Sequence, residues 1–138
     1  MKLHFLTVLT VIALASPAFA DGDAAKGEKT FRTCKACHSI TGPDDKTIVR
    51  GGRVGPNLFG VIGRKAGSEP GYNYGAGIKE AAEKGLVWNE ENLAEYVKNP
   101  TEFLEKYTGD GAARSKMSFK LRRGGEDVAA YLASVAKQ

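Results

Sequence analysis

Cys34-Lys35-Ala36-Cys37-His38 is a C-x-x-C-H, the pattern through which a chain attaches haem by two thioether bonds. Two thiols three residues apart share one helical turn, so both can reach neighbouring vinyl groups of a single porphyrin. The adjacent histidine is then carried under the iron. The motif uses both cysteines of the chain and nominates His38 as the proximal ligand.

Working outward, the chain begins with a leader. Lys2 supplies a basic start, Leu6 to Ala15 form an apolar run, and Ala18-Phe19-Ala20 is an A-x-A cleavage site. That order predicts a secretory signal peptide over residues 1–20, too short and wrongly flanked for a membrane anchor. Asp21 to Gln138 would then form one exported domain, long enough to bury a modest core. No later stretch is apolar enough to span a bilayer. Removing Lys2 lowers the formal charge from +4 by one. The remaining lysines and arginines are spread along the chain, so nucleic-acid binding gains no support.

Three other readings of the cysteines compete with haem. In an exported protein a disulfide is the default, and C-x-x-C also serves thiol exchange or half of a zinc site. Thiol exchange expects the motif after a strand, whereas here it ends a helical pattern. Zinc needs further Cys or His, and residues 21–138 hold none beyond the motif.

Counting the ligands sharpens the haem reading. The chain has two His and two Met, of which His4 and Met1 lie in the leader. His38 and Met117 are therefore the histidine and methionine left to the domain. A low-spin haem needs a second axial ligand, and a thioether is a soft one that favours ferrous iron. Met117 stands in Arg114-Ser115-Lys116-Met117-Ser118-Phe119-Lys120, a polar and basic run without helical apolar period. Such a setting suits a ligand better than a core side chain.

The rest of the chain reads as all-α. Asp23 caps a helix whose small or apolar face is Ala24, Gly27, Phe31 and Cys34, and which delivers the motif at its end. Residues 39–75, punctuated by Gly51-Gly52, Gly55-Pro56 and Pro70-Gly71, predict irregular chain. So long a loop argues against a compact domain unless it wraps a flat apolar cofactor. Further helices are expected over Ile78 to Lys84 with Gly85 beyond, and from the Asn89 cap through Leu93, Tyr96 and Val97 to before Pro100. A turn capped by Thr101 should bear Phe103 and Leu104. The last helix, after Gly124-Gly125, should bury Val128, Tyr131, Leu132 and Val135. No strand is expected.

With these blocks in order, the chain resembles class I cytochromes c, and within them the larger bacterial cytochrome c2 proteins. The resemblance rests on Cys34 to His38, Gly55-Pro56-Asn57-Leu58 through Gly63-Arg64, Tyr72 to Tyr74, Trp88, Tyr96 through Asn99-Pro100, Lys116-Met117 and Tyr131-Leu132. It implies a cytochrome c fold of several helices and long loops around one covalent haem c. Pro56 would accept the Nδ1–H of His38. Arg64, Tyr74 and Trp88 would donate to haem propionates, and Tyr96 would set its hydroxyl near the Met117 sulfur. Gly27 would let the first helix cross the last near Tyr131, and Phe119 would cover a haem edge. Relative to the shorter mitochondrial pattern, the loops between His38 and Pro56, Tyr74 and Trp88, and Pro100 and Met117 are longer.

A haem with both axial positions filled has no open site for substrate, which points to one-electron transfer in the periplasm. Basic residues near the cofactor, namely Arg32, Lys35, Lys116, Lys120, Arg122 and Arg123, would steer docking. The resemblance implies a cytochrome bc1 complex as donor and a photosynthetic reaction centre or terminal oxidase as acceptor, with the carrier a monomer. Two other functions stay open at this level. One is a haem enzyme or ligand sensor in which Met117 is displaced; the other is a fixed electron-transfer subunit of a larger reductase or dehydrogenase.

Overall fold

The computed structural model describes residues 21–137. The leader, with its expected cleavage after Ala20, lies outside the described residues. Asp23 is the cap of α1 (Ala24–Thr30), its carboxylate accepting the N–H groups of Ala25 at 2.9 Å and Lys26 at 3.1 Å. The helix tightens into a 3-10 turn over Phe31–Thr33. Cys37 and His38 then donate their N–H groups to the Cys34 carbonyl at 3.1 and 3.0 Å. The haem motif is therefore one further helical turn, beyond the regular helix.

The C-terminal helix α5 (Gly125–Val135) buries Val128, Tyr131, Leu132 and Val135 as its spacing predicts, together with Ala129. It crosses α1 at Gly27. A Cβ there would overlap the Asp127 carbonyl and come 2.8 Å from Cβ of Tyr131, so the crossing excludes any larger residue. Asp127 also accepts the Asp23 N–H at 2.7 Å, and the Phe31 and Tyr131 rings sit 5.7 Å apart. Two chain ends are thus clasped where the motif begins.

Between them come α2 (Ala76–Glu83), α3 (Glu90–Lys98) and α4 (Pro100–Thr108). Asn89 caps α3 in a reciprocal box with Asn92, each side chain accepting the other's backbone N–H, at 2.8 and 2.9 Å. Two expectations change in this stretch. α2 starts at Ala76 rather than Ile78, and α4 is a full helix rather than a turn capped by Thr101. Pro100 explains the second difference, because its fixed φ and missing N–H suit the first helical position. Gly109 ends α4 in the left-handed region, φ 73°, with its N–H on the Glu105 carbonyl.

The absence of strand is also corrected. β1 (Ile40–Thr41) pairs antiparallel with β2 (Thr47–Val49), joining Ile40 to Val49 and Thr41 to Thr47. The β-branched run Thr47-Ile48-Val49 favours an extended ribbon, and the left-handed pair Asp44 (φ 57°) and Asp45 (φ 56°) turns the chain between the strands. The ribbon is a small addition to a helical fold. Beyond it the loop is tied down by backbone bonds: Gly63 N to Trp88 O at 2.7 Å, Trp88 N to Arg64 O at 2.9 Å, and Ala66 N to Leu86 O at 2.9 Å.

Phe31, Ile40, Leu86, Leu104, Leu132 and Val135 are almost sealed from solvent. Each contributes about 1.5–3 kcal/mol by burial. Among the described residues no helix is long and apolar enough to cross a membrane.

Candidate functional site

The site starts from the turn that α1 delivers. Cys34 is half-buried, Cys37 is exposed, and both thiols are free. Burial pushes the Cys34 thiol above its ordinary value, keeping it a neutral thiol. The His38 ring is held from the other side. Its Nδ1 lies 2.8 Å from the Pro56 carbonyl. A carbonyl only accepts, so Nδ1 carries the hydrogen and Nε2 keeps its lone pair. Burial lowers the imidazole pKa, with the Pro56 carbonyl opposing. The ring is therefore a neutral base whose free nitrogen has its orientation fixed, the form a metal requires.

The loop that carries Pro56 presses directly on the motif. Gly52 N donates to Lys35 O at 2.9 Å and Gly55 N to Cys37 O at 2.8 Å. A Cβ on Gly55 would fall within 2.6 Å of His38 Nδ1 and 2.7 Å of Nε2, while Gly51 and Gly52 back onto the carbonyls of His38 and Ala36. Asn57 then joins the loop to β1, accepting Thr41 N–H at 2.9 Å and donating to Thr41 O at 2.8 Å.

Arg64, Tyr74 and Trp88 form the next wall. The Arg64 guanidinium, mostly buried, donates to the carbonyls of Phe59 (3.3 Å) and Asn57 (3.0 Å) and pairs with Glu69 at 2.6 Å. Three of its five N–H groups thus serve protein acceptors. The Tyr74 hydroxyl accepts the Glu69 N–H at 3.2 Å, which leaves its own hydrogen to donate. Trp88 is buried against Tyr96 and Phe103, with ring centroids at 5.0 and 6.0 Å. Its indole N–H has no acceptor among the described residues.

Met117 is half-buried against the core. The Tyr96 hydroxyl, expected near its sulfur, lies 3.0 Å from Ser115 Oγ, and that oxygen accepts the Met117 N–H at 3.1 Å. Burial raises the Tyr96 phenol, the Ser115 hydrogen bond opposing. The chain leaves Met117 past Phe119, which is 45% exposed, to Leu121, whose N–H donates to Val97 O at 2.8 Å. Arg32, Lys35, Lys120, Arg122 and Arg123 are exposed, and among the described residues none pairs with a carboxylate. Lys116 differs, donating through Nζ to Asn73 O at 2.6 Å.

These residues fit a flat apolar group bearing carboxylates at one edge. Leu58, Phe59, Ile62, Val97, Met117 and Leu121, from three segments, present half-buried apolar surface on one core. Tyr74 O–H and Trp88 N–H offer donors, Cys34 and Cys37 offer thiols, and the spare nitrogen of His38 has no hydrogen-bond partner among the described residues. Among the described residues no group of three or more His, Cys, Asp or Glu could hold a bare metal ion.

Comparison with known proteins decides the family. No protein-family model matches. Cytochrome c2 of Rhodobacter capsulatus is 55% identical over 134 residues, covering 96% of this chain and 97% of that protein. Cytochrome c-550 of Paracoccus denitrificans is 53% identical over 136 residues, covering 96% and 88%. The chain belongs to the cytochrome c2 family. The crystal structure of cytochrome c2 from Paracoccus denitrificans superposes with a TM-score of 0.82 at 53% identity, covering 85% of this chain and 98% of that one. As a cytochrome c2 homologue the chain has the cytochrome c fold, carries one covalently attached haem c, and is an electron-transfer protein rather than an enzyme.

Sequence reasoning did not single out Ser115, Glu69 or the contact of Gly51 and Gly52 with the motif. Ser115 carries no signal beyond standing two residues before Met117. Glu69 meets Arg64 only because the loop turns back on itself.

Proposed function

We propose that the chain is a soluble periplasmic carrier, exported by a leader cleaved after Ala20, with His38 and Met117 as axial ligands of the haem iron. Haem supplies a one-electron ferric/ferrous couple. The chain's residues keep that couple closed and accessible only at its edge. The observation that carries the reading is the His38–Pro56 bond at 2.8 Å. It fixes a neutral imidazole with its lone pair free, a ligand suited to both oxidation states. Met117 supplies the soft second ligand that favours the ferrous form.

Cys34 and Cys37 would hold the porphyrin covalently. Tyr74 and Trp88 would donate directly to propionates, and Arg64 through its remaining N–H groups and its charge, so that these carboxylates are not buried without partners. Tyr96 acts on Met117 through Ser115. The exposed cations Arg32, Lys35, Lys120, Arg122 and Arg123 would steer a cytochrome bc1 complex as donor and a reaction centre or terminal oxidase as acceptor, binding weakly and releasing fast.

Mixing the ferrous protein with carbon monoxide tests the closed coordination. A carrier with both ligands in place does not bind it promptly. Immediate binding would mean an open sixth position and a sensor or enzyme chemistry instead.

A further inference from the structure

Met117 is preceded by two residues that tie its loop to different parts of the fold. On one side, Ser115 Oγ is 3.0 Å from the Tyr96 hydroxyl in α3 and accepts the Met117 N–H at 3.1 Å. The Ser115 N–H in turn donates to Thr101 Oγ1 in α4 at 3.3 Å. On the other side, Lys116 reaches across to the loop before α2. Its Nζ donates to the Asn73 carbonyl at 2.6 Å and lies 5.4 Å from the centre of the Tyr72 ring. Both distances suit a charge-assisted hydrogen bond and a cation–π contact.

The path of the lysine stem is built in. A Cβ on Gly75 would come within 2.7 Å of Lys116 Cγ and 3.1 Å of Cδ. Gly75 has φ −72°, which any residue adopts, so its lack of a side chain serves space rather than backbone conformation. A freely solvated lysine would need no such lane.

We infer that Ser115 and Lys116 are positioning residues for Met117, forming a two-sided clasp from α3 and α4 on one side to the Asn73 loop on the other. The inference rests on the iron ligation by Met117 proposed above. Releasing the thioether requires the loop to move, and movement breaks both ties. Each tie therefore adds to the stability of the ligated state over the released one. Lys116, unlike Lys120 four residues on, serves the ligand loop rather than the docking face.

Imidazole competition in the ferric holoprotein tests this, because the apparent affinity of an added ligand scales with the fraction of protein whose Met117 is released. S115A and K116A should each bind imidazole about fivefold to tenfold more tightly, the effect of losing one hydrogen bond. S115T, which keeps the hydroxyl, and K116R, which keeps a cationic donor, should stay near the unaltered protein, as should K120A, which removes a charge from the same loop without removing a tie. Unchanged affinity in both S115A and K116A would overturn the clasp. So would an equal gain in K120A, which would assign the effect to charge alone. If S115A does not accumulate as folded holoprotein, K116A, altered at an exposed position, carries the test. Absence of the thioether-to-ferric-iron charge-transfer band from the unaltered protein would instead remove the Met117 ligation, and the clasp with it.

Discussion

The His38 ring fills the space that a side chain on Gly55 would need, a Cβ there falling 2.6 Å from Nδ1 and 2.7 Å from Nε2. Gly55 and Pro56 thus act as a pair: one admits the ring and the next accepts its Nδ1–H. The Gly-Pro step of the loop is a socket for the ligand on the motif.

Gly55→Ala should therefore push the ring out of its socket and break the bond to Pro56. The imidazole would lose its fixed tautomer while remaining buried. We expect a loss of about 1–3 kcal/mol in stability, typical of overpacking, together with a fall in the low-spin haem signal. Denaturant midpoints and the ferric spectrum of the holoprotein measure the two. An unperturbed spectrum would show that the ring position does not depend on Gly55.

Gly27→Ala probes the crossing of α1 over α5, where the new Cβ would overlap the Asp127 carbonyl and crowd Tyr131. Rigid backbone lies on both sides, so the helices must separate. A loss of about 1–3 kcal/mol is expected in a urea titration, with m unchanged, and the Met117 band retained. Loss of the band at full stability would place the damage in the site rather than in the crossing.

High pH should loosen the fold through Tyr96. A free tyrosine ionises near 10, and burial raises the folded value above it. The folded protein keeps its phenolic proton where the unfolded chain has lost it. The stability is fully present below pH 10.0 and is lost as pH rises through the folded value. The slope is at most about 1.4 kcal/mol per pH unit for one tyrosine. Tyr74 and Tyr131 shift the same way, so the measurement is the difference between the unaltered protein and Y96F across that range. Equal slopes in the two would remove Tyr96 as the source.

Much of this was legible in the chain. Asp23 and Asn89 announce their helices because capping is local chemistry, read from residues two or three apart. The α5 face follows from helical spacing, and the Gly27 crossing from the resemblance to class I cytochromes c. What stayed hidden depends on the chain returning to itself. The ribbon of Ile40–Thr41 with Thr47–Val49 is too short to show a period of two. The length of α4 turned on whether Pro100 ends one helix or starts the next, and it starts one. Ser115 and Lys116 find Tyr96 and Asn73 across 19 and 43 residues, distances over which no spacing rule operates.

Charge at the docking face gives a further test. Lys120 and Arg122 are exposed and pair with no carboxylate among the described residues. Replacing both by glutamine should slow reduction by a cytochrome bc1 complex about threefold to tenfold at low ionic strength, with the difference vanishing in high salt. A deficit that survives high salt would mean that these side chains contribute shape rather than steering.

The central claim is the pair of ligands, His38 from the motif and Met117 from the distant loop. The most direct measurement is the absorption spectrum of the ferric protein with and without Met117→Ala. The unaltered protein should show the thioether-to-iron charge-transfer band, and the variant should lack it and have a lower midpoint potential. A band unchanged by the substitution would contradict the assignment.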